Sequence, residues 1–262
     1  MLPGDFSVGR TVIRSRGDLL WLLDKSALID QAIISGAWEP QTTVLFVKYL
    51  KPGQVLIDVG ANIGWYTILG AKIVGNLGKV IAVEAMEEAR RVLFANVVLN
   101  KFQDRVFIEG VCLSDKLDEP KDVGFNFAWP PKLRGRNIVP VVSLDQMVKG
   151  YIERKIITCV DFIKIDIDGY DLLVLQGAEH TIRTYRPKML IEVCGYVLAG
   201  VMGGNPRDRC WEMVRLLERY NYVCWDEYGK IADWPILFKK FDMTKTSFNI
   251  LCLPKDEVSY EN

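Results

Sequence analysis

The chain has 262 residues, 50% hydrophobic and 25% charged, and its 33 basic and 33 acidic side chains leave no formal net charge. This composition can bury a sizeable core, which excludes disordered, collagen-like and disulfide-scaffold proteins, and neutrality disfavours a nucleic-acid-binding stripe over the whole surface. On a prior of about 150 residues per domain the length leaves one large domain or two small ones open.

From the amino terminus, no apolar run follows the first basic residues, and no stretch of about 18 apolar residues occurs later. Neither a secretion signal nor a membrane span is expected. Six cysteines, none in a C-x-x-C pair, read as reduced core residues of a cytoplasmic protein. Residues 1–50 form a preface packing on the core, with a weak β pattern at Thr11 to Arg14 and a helix at Ala27 to Ser35. Strand and helix then alternate. Val55 to Val59 is a β-branched run ended by glycines, and Ile63 to Val74 is helical until Gly75. Lys79 to Val83 is a second strand, Glu87 to Asn100 a second helix and Arg105 to Leu113 a third strand.

An insertion at residues 115–140 carries four prolines, with Val123 to Phe127 and Asn137 to Val142 as paired strands. Ser143 then caps a helix over Leu144 to Arg154. Val160 to Ile167 is a fourth strand, Tyr170 to Ile182 its helix and Lys188 to Val193 a fifth strand. Arg207 to Tyr220 is a further helix, and Tyr222 to Asp226 and Ser247 to Leu253 are the last two strands. Apolar strands alternating with amphipathic helices predict an α/β fold: a mostly parallel sheet covered on both faces, with ligands beyond the carboxyl ends of the strands. Without repeats or a long linker, one domain is the better reading.

The single histidine, His180, excludes chemistry that needs two imidazoles, and as a surface residue near a helix end it has no G-x-S-x-G motif for company. The loop after the first strand is more informative. It reads Asp58-Val59-Gly60-Ala61-Asn62-Ile63-Gly64-Trp65, which departs from the dinucleotide pattern G-x-G-x-x-G at its middle and last glycines. Asp58 is a poor neighbour for a diphosphate and a good one for an ammonium. Glu84 ends the second strand, 20 residues after Gly64, where a carboxylate can accept from two ribose hydroxyls. Ribose with a positive end and no phosphate describes S-adenosylmethionine.

DVGANIGWYT followed by AVEA, VSLDQM, VDFIKIDIDGYDLLVLQGAE and RPKMLIEV closely resembles the FkbM-type S-adenosylmethionine-dependent methyltransferases. The resemblance implies a Rossmann-like class I methyltransferase fold over residues 51–262, a seven-stranded sheet in the order 3-2-1-4-5-7-6 with strand seven antiparallel. It also implies an oxygen acceptor on a sugar or small metabolite. By similarity Asp58, Gly60, Asn62 and Gly64 surround the methionine part, Glu84 the ribose, and Val111 and Cys112, with Leu113 and Ser114 beside them, the adenine. Met86 lies against the adenine face, and Glu39, in the segment GAWEP, reaches the same site. Where the family more often has glutamate this chain has Asp168 and Asp171, and it has Val193-Cys194-Gly195-Tyr196 where the family commonly has a histidine just after the acid equivalent to Glu192.

Side chains alternate along a strand, so Lys164, Asp166 and Asp168 share one face. A buried Lys-Asp pair in a central strand is costly unless compensated, and two readings stand side by side. In one, Lys164 with Asp166 or Glu192 is an ion pair that fixes packing. In the other, Asp166 is the catalytic base and orienter, Glu192 the second choice, and Lys164 positions the acceptor or tunes its neighbours. A divalent metal on Asp166, Asp168, Asp171 and Glu192 is conceivable but not expected, for lack of a diagnostic spacing. Trp65, Tyr66, Trp129, Tyr170 and Tyr196 are placed for packing or for lining an acceptor pocket. The runner-up functions are an RNA 2′-O-methyltransferase using a patch of Lys132, Arg134, Arg136, Arg154 and Lys155, and a cofactor-binding module without turnover. No membrane partner is expected.

Overall fold

The computed structural model describes residues 10–14, 18–24, 27–36, 38–122, 138–167, 169–195, 203–241 and 246–258. Arg10–Arg14 (β1) and Leu20–Asp24 (β2) form an antiparallel hairpin. Leu28–Ser35 (α1) and Pro40–Tyr49 (α2) follow, the latter opened by a proline whose fixed φ suits a first helical turn. Neither β2 nor α2 is legible in the preface, and each carries core residues.

The main sheet and its helices come next: Val55–Val59 (β3), Trp65–Val74 (α3), Lys79–Val83 (β4), Glu87–Leu99 (α4) and Val106–Glu109 (β5). The reading of one strand over Arg105 to Leu113 is corrected. β5 stays paired with β4 as far as the Glu109 carbonyl, which accepts from Glu84 N–H, and past Gly110 the segment Cys112–Ser114 (β6) joins a second sheet. In that sheet β6 pairs parallel with Ile138–Ser143 (β8), which pairs antiparallel with Asp118–Asp122 (β7). The insertion's first strand is therefore Asp118–Asp122, and Val123 to Phe127 lies outside the described residues, as do Trp129, Lys132, Arg134, Arg136, Asp168 and Tyr196.

Ser143 caps Leu144–Glu153 (α5) in a complete capping box with Gln146. Phe162–Ile165 (β9) leads to Asp171–Gln176 (α6) and Glu179–Tyr185 (α7), so the single helix expected from Tyr170 to Ile182 is two. Two long-range contacts explain the split. A Cβ on Gly177 would stand 2.1 Å from the Ser114 carbonyl oxygen, and Asp145 accepts from the backbone N–H groups of both His180 and Thr181, opening a fresh helix. Lys188–Val193 (β10), Pro206–Arg219 (α8), Tyr222–Asp226 (β11), Trp234–Lys240 (α9) and Phe248–Pro254 (β12) complete the fold.

The seven strands run β5-β4-β3-β9-β10-β12-β11, with β12 antiparallel to both neighbours. Counted in chain order within this sheet, that is 3-2-1-4-5-7-6, the Rossmann-like class I methyltransferase arrangement. Alternation divides the sheet's side chains between two cores. Ile57, Ile163, Ile191 and Ile250 pack with Leu144 of α5, Ile182 of α7 and Met213 of α8. Leu56, Phe162, Leu190 and Leu251 pack on the other face with Phe46 of α2, Ile68 of α3 and Leu93 of α4, and with Trp21 and Leu23 of the preface. Among the described residues no helix is long and apolar enough to cross a membrane.

Candidate active site

The second face is apolar until the carboxyl edge of the parallel strands, where polar side chains cross it strand by strand. Asp58 on β3 lies opposite Lys164 on β9, and Glu192 at the end of β10 lies opposite Asn249 on β12. Because β12 runs antiparallel, its first residues reach this edge. Asp58, Lys164 and Asn249 are buried.

Lys164 is fully buried, its ammonium 2.9 Å from Asp166 Oδ2 and 5.1 Å from the centre of the Tyr66 ring. Burial works to push its pKa down, but the attraction of Asp166, Glu39 and Glu192 outweighs that and holds it above the ordinary lysine value. Lys164 is thus a charged ammonium. Asp166, just past the end of β9, is partly exposed, and its backbone N–H is tied to the Val59 carbonyl at 3.0 Å.

Glu39 comes to the same cluster from the preface. It caps α2 with a left-handed backbone, φ 39°, and accepts a 2.6 Å hydrogen bond from the Tyr66 hydroxyl and another from Asn249. Burial raises the Glu39 carboxyl above its ordinary value, against the pull of Lys164. Burial and the adjacent Glu39 raise the Tyr66 phenol, which leaves it a neutral donor. Glu192 is held well above the usual carboxylate range by burial and by Asp166 and Asp171. Ser247 donates to its Oε1 at 2.6 Å, and its Oε2 is buried with no partner.

The glycine loop sits at the same edge. Asp58 is pushed up to about 6 by burial, opposed by hydrogen bonds from the hydroxyl and backbone of Thr67, the former at 2.5 Å. The structure thus turns Asp58 toward the first turn of α3. Glu84 accepts from the backbone N–H groups of Asn62, at 2.8 Å, and Met86, at 2.7 Å. Burial raises its pKa and these two bonds lower it. Two N–H donors fix its carboxylate and leave further lone pairs for hydroxyls. Asn62 holds φ 50° and its Oδ1 is buried without a partner. Gly60, φ 82°, lies where a Cβ would stand 1.8 Å from the Asp166 carbonyl oxygen. Gly64 caps α3, with no side-chain cap on the helix N-terminus. Val111, between β5 and β6, and Cys112, the first residue of β6, are half-buried.

The sequence-read residues Asp58, Glu39, Lys164, Asp166 and Glu192 therefore share one electrostatic cluster, with Gly60 packed against the Asp166 backbone. Glu84, Asn62 and Met86 are joined to one another at the neighbouring strand end. Sequence reasoning missed Thr67, Ser247 and Asn249. Asn249 had a signal, a polar residue inside the apolar run of Phe248–Pro254. Asp171 is a loop anchor, its two oxygens accepting from the N–H groups of Ile167 and Gly169, and burial raises it to about 7. His180 is exposed in α7. Among the described residues no group of three or more His, Cys, Asp or Glu is placed to hold a metal ion.

A family model described as "Methyltransferase FkbM domain" matches residues 58–224. Among solved structures, the chain is similar to an S-adenosylmethionine-dependent O-methyltransferase from Thermotoga maritima at 15% identity, over 96% of this chain and 79% of that one, with a TM-score of 0.49. A methyltransferase FkbM from Methylobacillus flagellatus matches at 16% identity over 85% of this chain and 52% of that one, TM-score 0.48. An O-methyltransferase from Bacillus cereus in complex with S-adenosylhomocysteine matches at 14% identity over 82% and 79%, TM-score 0.45.

Proposed function

The chain belongs to the FkbM methyltransferase family, and from that premise we propose that it transfers the methyl group of S-adenosylmethionine to a hydroxyl oxygen of a sugar or small metabolite. The observation that supports this most is the meeting, at one sheet edge, of the glycine loop with a cluster in which four acidic side chains, Glu39, Asp58, Asp166 and Glu192, surround the buried ammonium of Lys164. Such an excess suits a ligand with a cationic end, because burying unpaired carboxylates is unfavourable without one. The buried, unpartnered oxygens of Asn62 and Glu192 fit a ligand that brings donors.

When bound, S-adenosylmethionine supplies a methyl group already activated by its sulfonium. In this reading Asp58, Gly60, Asn62 and Gly64 border its methionine part, Glu84 accepts from the ribose hydroxyls, and Met86, Val111 and Cys112 enclose the adenine. Glu39, held by Tyr66, faces the methionine end. Asp166 accepts the proton that the acceptor hydroxyl loses as its oxygen takes the methyl group, and Lys164 keeps that carboxylate aimed through their 2.9 Å contact. Glu192, with one oxygen held by Ser247 and the other unpartnered, is the second candidate base. Holding the acceptor in line with the sulfonium supplies much of the acceleration.

Calorimetry with S-adenosylhomocysteine and transfer of labelled methyl to fractionated cell extract test the reading. Binding and a labelled hydroxyl product are expected, and no heat at millimolar ligand overturns it. Asp166→Asn is expected to keep ligand affinity and lose about a hundredfold or more in turnover. Unchanged turnover removes Asp166 as the base.

A further inference from the structure

Cys224 and Cys252 carry no motif spacing in the sequence, but the pairing of β11 with β12 sets them opposite one another, Sγ to Sγ 2.7 Å. The local register can be worked out. Lys255 N–H donates to the Asn221 carbonyl, so that pair is hydrogen-bonded, and pairs alternate along an antiparallel ladder. Cys224–Cys252 therefore falls on a non-hydrogen-bonded position, as does Tyr222–Pro254, where a proline without an N–H loses nothing. The outward bonds agree: the Cys224 carbonyl accepts from Ala232 and the Asp226 N–H donates to Lys230, both away from β12. At such positions Cα atoms approach to about 4.5 Å, within the span a disulfide bridges.

We propose that Cys224 and Cys252 are a site of reversible oxidation at which a hydroperoxide closes a cross-strand disulfide, stapling β11 to β12 with the sheet register unchanged. Cys224 retains 7% exposure and Cys252 none, so oxidation enters through Cys224. Its sulfur attacks a peroxide oxygen, the O–O bond breaks, and a sulfenic acid and one water form. The Cys252 sulfur then attacks the Cys224 sulfur and expels hydroxide, which takes up the remaining thiol proton as a second water. Two thiols and one hydrogen peroxide give one disulfide and two waters, with two electrons passing from sulfur to peroxide. Burial and the facing Cys224 raise the Cys252 thiol well above its ordinary value, so in the resting state it is protonated. The staple would close the loop that carries α9 and fix the strand that brings Asn249 to the active site.

The test uses the full chain, reduced, exposed to hydrogen peroxide in native buffer, quenched and denatured. Thiol titration is expected to show loss of two of the six thiols, and peptide mapping without reduction a Cys224–Cys252 cross-link. The melting midpoint should rise by roughly 5–10 °C, and dithiothreitol should reverse both changes. Cys224→Val and Cys252→Ala should each yield no cross-link and no rise. Six free thiols in the treated wild type, or a cross-link between another pair, overturns the proposal whether or not either variant folds.

Discussion

Replacing Gly60 by alanine separates two costs that usually travel together. The added Cβ would stand 1.8 Å from the Asp166 carbonyl oxygen, and since real Cβ contacts essentially never fall under 3.0 Å, the Asp166 backbone must retreat by at least 3.0 − 1.8 = 1.2 Å. The obstacle is backbone, which cannot rotate aside as a side chain could. The retreat strains or breaks the bond from Asp166 N–H to the Val59 carbonyl, about 1 kcal/mol, and adds overpacking of about 2 kcal/mol. A left-handed backbone on a residue with a Cβ adds about 1 kcal/mol more. The total is about 4 kcal/mol, a fall in melting midpoint of roughly 8 °C. Gly53 has nearly the same φ, 81° against 82°, with nothing within 4 Å of the added carbon, so Gly53→Ala isolates the strain at about 1 kcal/mol. Paired urea and thermal denaturation, with S-adenosylhomocysteine calorimetry on both variants, read the difference. Equal destabilisation of the two variants, or unchanged ligand affinity in Gly60→Ala, refutes the close approach of loop and strand end as the reason for this glycine.

Glu84→Gln replaces a carboxylate that accepts from both Asn62 and Met86 N–H groups by an amide that can accept from only one of them; its affinity for S-adenosylhomocysteine should fall about tenfold or more by calorimetry. Asn96 is buried and bridges the preface to the glycine loop, accepting from Leu22 N–H at 2.6 Å and donating to the Ile63 carbonyl at 2.8 Å. Asn96→Ala orphans both groups and should cost about 2–4 kcal/mol in urea denaturation; a loss under about 1 kcal/mol removes the bridge as a structural tie. The carboxyls of Asp58 and Asp171 are raised in the folded state to about 6 and about 7 from 3.8. Their contribution to stability is therefore whole below pH 3.8 and lost as pH rises through 6 and 7. The stability of wild type relative to Asp171→Asn should accordingly decline between those limits in melting curves taken across pH; a pH-independent difference contradicts the raised carboxyl.

The elements with the strongest local signal needed no tertiary information. Val55–Val59, Lys79–Val83, Lys188–Val193 and Tyr222–Asp226 are runs bounded by turn residues, and each forms over the span its pattern marks. Their order with the helices also carried the fold class, because apolar strands in series with amphipathic helices have few other solutions. The candidate residues were legible as chemical types for a related reason: Lys164, Asp166 and Glu192 are charges in runs that otherwise demand burial, and Glu84 ends a strand. Asn249 is the same signal in a weaker form, an uncharged polar residue that Ser247 precedes.

Contacts between distant segments could not be read in this way. The break at Gly177 depends on a carbonyl 63 positions earlier in the chain and on the Asp145 carboxylate, neither of which perturbs the local helical spacing. The third strand divides after Gly110 because β8 captures Cys112–Ser114, and the apolar residues Val111 and Leu113 continue the local strand pattern of β5 past that glycine. The hydrogen bond that Glu39 accepts from Tyr66 and the meeting of Cys224 with Cys252 likewise follow from how the preface and the last two strands pack. The sequence by itself determined which segments must be buried and which charges would be costly there, since burial and period are properties of neighbouring residues. Only the tertiary structure decided which partners offset those charges, because partner choice is set by strand register and close backbone approach across long stretches of chain.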